Sequence, residues 1–188
     1  MAGDRRREAL AWNNHGVVLQ KLGQFEHAIR AHERAGELYR ELGDWREEGA
    51  ASDNLGLALR EVRRFEDAVT AHKRAIDIYQ ELGDRHREGS ARTNLGSAFR
   101  EVQRFEDAVT AYEQAIDLFR DLDDRHSEGR TWKNLAVARL DLGQFGRAIR
   151  CWKRARAAYY AADDTAGVDH IDQLLQTARL QLDMTTTA

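Results

Sequence analysis

The segment REVRRFEDAVTAHKRAIDIYQEL begins at Arg60, and REVQRFEDAVTAYEQAIDLFRDL begins at Arg100. About 25 of the 40 residues in 51–90 recur in register in 91–130. Unrelated segments do not share Phe-Glu-Asp-Ala-Val-Thr-Ala. A structural unit has been copied, and such units bury their apolar faces by stacking on one another. This constrains the fold more than any other feature.

Five aspartates mark the register: Asp4, Asp44, Asp84, Asp124 and Asp164. Each precedes a helical pattern and reads as a helix N-cap. Glu48, Glu88 and Glu128 follow in the first turn, where negative charge suits the helix dipole. Within one unit, Leu95, Ala98, Phe99 and Val102 form one apolar stripe. Gln103 and Arg104 make a tight break. Phe105, Ala108, Val109, Tyr112, Ala115, Ile116 and Phe119 form a second stripe. So short a break makes the two helices antiparallel neighbours. The chain has no proline to interrupt them.

The predicted repeats are 4–43, 44–83, 84–123 and 124–163. A capping helix over 164–183 follows, with a stripe of Val168, Ile171, Leu175, Ala178 and Leu182. Polar Gln176 and Arg179 suit a helix that receives no further hairpin. Residues 184–188 read as a frayed tail. Small residues recur in phase: Gly16, Gly56, Gly96 and Ala136; Ala28, Ala68, Ala108 and Ala148; Ala35, Ala75, Ala115 and Ala155. Glycine in mid-helix costs about 1 kcal/mol against alanine, so another helix is expected to cross closely there.

Charged residues make up 32% of the 188, yet the net charge is −3. Mixed signs suit a solvated helical surface and argue against nucleic-acid binding. No apolar run is long enough for a membrane span, and no signal peptide is evident at the start. The single cysteine, Cys151, points to a reducing, cytoplasmic setting. Arg- and Ala-rich usage points to a bacterial genome.

Trp12…Gly16…Leu19…Gly23-x-Phe25…Ala28…Ala35 resembles the tetratricopeptide repeat pattern. So do Leu55-Gly56…Phe65…Ala68…Ala75, its counterpart forty residues on, and Trp132…Leu135…Gly143-x-Phe145…Ala148…Ala155. The resemblance implies an all-α, right-handed superhelical solenoid of four hairpins plus the cap. The period departs from the usual one of about 34 residues. No proline closes the second helices, where Arg40, Gln80, Arg120 and Tyr160 stand. This long form resembles the LGN and Pins polarity scaffolds, kinesin light chains and arrays attached to bacterial signalling ATPases.

The resemblance implies that the first helices line a concave face. On that face Asn14, Asn54, Asn94 and Asn134 share one phase. An amide both donates to and accepts from a peptide backbone, so the four form a candidate ladder for an extended chain. In the resembling families, asparagines at this phase contact bound peptide. The competing role is tying neighbouring helices together. Arg60 and Arg100 are candidates for holding a carboxylate, or are simply solvated beside Glu61 and Glu101. Lys21 and Lys133 add positive charge, Asp53 and Asp141 offset it, and Asn13 and Gln20 complete the candidate set.

Trp12, Trp132 and Trp152 read as packing residues, whereas Trp45 replaces arginines and is a candidate exposed anchor. No metal, phosphate or nucleophile motif is present, so no enzyme activity, metal or cofactor is expected. The function implied is a scaffold for an extended, partly acidic protein or peptide segment. The alternative is a self-assembling or regulatory fragment of a larger bacterial signalling protein, with end-to-end association and no groove ligand.

Overall fold

The computed structural model describes the backbone of residues 2–186 and the side chains of residues 3–178. Nine α-helices and no strand occur among the described residues. They are α1 (Ala2–Lys21), α2 (Phe25–Leu42), α3 (Trp45–Glu61), α4 (Phe65–Glu81), α5 (Arg85–Glu101), α6 (Phe105–Asp121), α7 (Arg125–Asp141), α8 (Phe145–Ala161) and α9 (Thr165–Thr186). The chain forms two compact units, one ending at Gln103 and the other beginning at Arg104. That division falls between the two helices of the predicted repeat 84–123.

Every break is built alike. In the α2–α3 turn, Asp44 N–H donates to Tyr39 O at 2.9 Å and Gly43 N–H to Arg40 O at 3.2 Å. This is a Schellman arrangement, and it requires a left-handed residue just past the helix. Gly23, Gly43, Gly83 and Gly143 take that conformation, but so do Arg63, Gln103, Asp123 and Asp163. The turns are therefore set by repeat geometry even where glycine has been lost.

In the first unit, consecutive helices pack in antiparallel pairs around Ala9, Ala35, Leu38, Tyr39 and Ala51. The predicted small phases, among them Ala28, Ala68, Ala35 and Ala75, are fully buried. What meets Gly16 and Gly56 is an imidazole: a Cβ there would lie 2.5 Å from a ring carbon of His32 or His72. The expected close approach is thus made by a side chain of the partner helix within the same hairpin. In the second unit, Tyr112, Ile116, Phe119, Trp132, Leu135, Trp152 and Ile171 are buried. Arg154 lies 4.7 Å from the Trp132 ring.

Several sequence expectations need correction. Asp4 lies inside the first turn of α1 and not ahead of it. Asp44 makes no capping bond, because its carboxylate takes Arg6 Nη2 at 2.7 Å, whereas Asp84, Asp124 and Asp164 do cap. Trp12 is exposed, since α1 packs mainly on α2 and this face is uncovered. Trp45 is exposed, as its replacement of arginines suggested. α9 runs to Thr186, beyond the expected end at 183. Arg179 and Leu182 lie outside the residues whose side chains are described.

Glu48, placed by its sequence position to serve the helix dipole, is fully buried. Its Oε1 accepts from Arg40 Nε on α2 at 3.0 Å and from Arg74 Nη2 on α4 at 3.0 Å. Glu88 similarly accepts from Gln80 at 3.0 Å. Glu48 thus ties α3 to α2 and α4, and Glu88 ties α5 to α4.

Candidate peptide-binding surface

The predicted asparagine phase has two distinct environments in the first unit. Asn14 is exposed, while Asn54 and Asn94 are half-buried. Asn54 donates to Asn13 Oδ1 at 3.4 Å. Asn94 donates to both Asp53 oxygens, at 3.2 and 3.1 Å. Each amide therefore joins its first helix to the first helix of the preceding repeat. One amide carries two donors and an oxygen with two lone pairs, so this use leaves valence over. Among the described residues no donor reaches the oxygen of Asn54 or Asn94.

The partners of these amides are anchored from the second helices. Asn13 is buried and contacts His32 Nδ1 at 3.0 Å. Gln20 donates to the backbone oxygen of Asn54 at 3.1 Å and its Oε1 lies 3.3 Å from His32 Nε2. In the next repeat His72 Nδ1 donates to Asp53 Oδ1 at 2.7 Å, and its Nε2 is buried without a partner. Burial lowers the His32 pKa to about 4, so His32 is neutral at pH 7. Asn13 and Gln20 thus spend their side chains on the stack.

Of the basic candidates, Lys21 is exposed and Arg60 half-buried. Arg60 Nε is buried without a hydrogen-bond partner. Arg100 is half-buried and already engaged. On the second unit, Lys133 and Asn134 are both half-buried on α7.

Sequence reasoning passed over a pocket in the first unit. It has a volume of about 190 Å³ and is lined by Ala50, Asp53 and Asn54 of α3, Tyr79 of α4, and Arg87 and Ser90 of α5. Arg87 lies 5.9 Å from the Tyr79 ring centroid, and its Nη1 is buried without a partner. Burial, reinforced by the Asp53 charge, raises the Tyr79 pKa to about 12, against the opposing effect of Arg87. A signal was present in the sequence: Glu47, Arg87 and Ser127 share a phase yet differ in charge.

These features define a helical-hairpin repeat protein with a polar first-helix surface. The tetratricopeptide repeat family model matches residues 7–81 and 87–161. The chain belongs to the tetratricopeptide repeat family, whose members serve as protein-interaction scaffolds and are generally non-catalytic. Comparison with curated protein sequences finds no match.

Solved structures share the fold. Aspartyl phosphate phosphatase F from Bacillus subtilis is 16% identical, with a TM-score of 0.82 over 89% of this chain. This chain spans 44% of that protein. The apo form of RapI is 15% identical, with a TM-score of 0.81 over 96% of this chain and 70% of that one. BtubC (BKLC) from P. vanneervenii is 19% identical, with a TM-score of 0.69 over 97% of this chain and 89% of that one. Among the described residues, no helix is long and apolar enough to cross a membrane.

Proposed function

We propose that the first-helix face of the first unit binds an extended peptide segment. One observation carries this reading. Asn54 and Asn94 are half-buried, are held in place by bonds to Asn13 and Asp53, and keep oxygens that no donor reaches among the described residues. Pre-fixed amides lose little freedom when they meet a peptide backbone, so their bonds contribute more fully to affinity. Asn14 extends the row. Arg60 and Lys21 receive acidic side chains. Asn134 and Lys133 present the same residue types on the second unit.

The test is selection from a random-sequence peptide display library, followed by affinity measurement on a selected peptide. Asn54→Ala combined with Asn94→Ala lowers affinity by about tenfold or more, given about 1 kcal/mol per hydrogen bond. Arg60→Ala, which disturbs no bond in the stack, weakens acidic peptides selectively. Recovery of no peptide, or equal affinity in folded variants, overturns the reading.

A second reading is self-association through α1. Val18 is 52% exposed and Leu22 65%, with Leu10 and Trp12 also exposed on this helix. The counterpart of Val18 on α3, Ala58, is fully buried, and α3 packs between α2 and α4. Light scattering tests it. Val18→Glu with Leu22→Glu abolishes any concentration-dependent rise in mass, and a constant monomer mass in the unmutated chain removes the reading.

A further inference from the structure

The pocket between α3 and α5 holds one negative and one positive group, Asp53 and Arg87, with the neutral polar groups of Asn54, Ser90 and Tyr79. Arg87 offers a donor: its side chain is 42% exposed, and its Nε stands 3.8 Å from Asp84 Oδ2. On the opposite wall are acceptors. The Asp53 carboxylate is oriented by His72 and Asn94, and the Asn54 oxygen meets no donor among the described residues. Ala50 and the Tyr79 ring add apolar surface. At about 190 Å³ the pocket falls below the range of roughly 300–1,000 Å³ typical of whole small-molecule sites. It fits one side chain.

We propose that this pocket takes a primary carboxamide, the side chain of a glutamine or asparagine in a bound peptide. The assignment rests on the peptide reading above and names one of its specificity subsites. A carboxylate entering here satisfies Arg87 but is pressed against Asp53. An ammonium or guanidinium satisfies Asp53 but meets Arg87. Either leaves one charge opposed in a partly desolvated space, which costs more than the favourable contact returns. A carboxamide carries no net charge and presents an acceptor and two donors. Its oxygen meets the exposed part of the Arg87 guanidinium, and its N–H groups meet Asp53 and the Asn54 oxygen. Apolar side chains cover Arg87 and Asp53 without bonding to either. The same phase in the α1–α3 repeat carries Glu47 instead of Arg87, so this selectivity belongs to the Arg87 pocket.

The experiment is backbone-amide NMR titration of the full chain with four single-residue probes: the N-acetyl, N′-methylamide derivatives of glutamine, glutamate, lysine and alanine. The glutamine probe produces saturable shifts at Asn54 and Ser90, with Kd of about 1–10 mM, the range of a single side-chain contact. The glutamate, lysine and alanine probes bind at least about fivefold more weakly. Ser90→Val, which narrows the pocket and leaves the Arg87 residue in place, removes the response. Arg87→Met does the same and is read only alongside an unchanged unfolding transition. Equal shifts with the glutamate or alanine probe overturn the assignment. So does an absence of shifts with the glutamine probe up to about 50 mM. The probes contain no extended backbone, so their failure is separate from failure of the Asn54 and Asn94 variants to alter peptide affinity.

Discussion

The Asn94 amide on α5 donates to both carboxylate oxygens of Asp53 on α3, at 3.2 and 3.1 Å. The equivalent bond one repeat earlier, from Asn54 to Asn13, is 3.4 Å long and joins two neutral groups. Bonds to a charged acceptor contribute about 1.5–3 kcal/mol, against about 0.5–1.5 for neutral pairs. Asn94→Ala therefore destabilises the chain more than Asn54→Ala. Urea unfolding of the two single variants checks the order, and equal losses contradict it.

Glu48 is buried, yet its partners Arg40 and Arg74 have side chains that are 57% and 44% exposed. Removing the carboxylate leaves arginines that water can reach, so the cost stays below that of breaking a fully buried pair. Glu48→Ala should lower stability by about 2–3 kcal/mol, measured as a shift in denaturant midpoint at constant slope. A loss under about 0.5 kcal/mol, the size of a surface substitution, would show that the pair contributes nothing.

Alanine normally stabilises a helix relative to glycine by about 1 kcal/mol. At Gly56 the sign reverses. The new Cβ falls 2.5 Å from the His72 ring, and His72 is held by its 2.7 Å bond to Asp53. Gly56→Ala should cost about 1–3 kcal/mol through overpacking. In a His72→Ala background the same change becomes stabilising. The double-mutant cycle measures this coupling directly, and simple additivity refutes it.

His32 is buried beside the neutral Asn13 amide, and burial lowers its pKa from 6.5 to about 4. Between these values the unfolded chain binds a proton that the folded chain does not. Stability therefore falls as pH drops below about 6.5, and this loss levels off below about 4. The contribution from His32 between pH 7 and pH 5 is about 2 kcal/mol. Urea titrations at both pH values, for the unmutated chain and His32→Gln, isolate it. An identical pH dependence in the variant would exclude His32 as the source.

The period, the helical pairs, the tight breaks and the buried alanine phases were legible in residues such as Phe105, Ala108 and Ala115. Apolar spacing and turn chemistry act over a few neighbours, and copying repeats the signal. The use of each polar side chain was not legible. Asn54 reads as a ligand contact, a stack tie or both until Asn13, 41 residues away, is brought to it. Glu48 reads as a dipole partner until Arg40 and Arg74 close over it. Arg87, on α5, meets Tyr79 of α4 and Asp53 of α3 in one pocket only once the three helices pack. A helix is set by local periodicity, whereas the remaining valence of an amide or guanidinium depends on groups that only tertiary packing brings within hydrogen-bond distance.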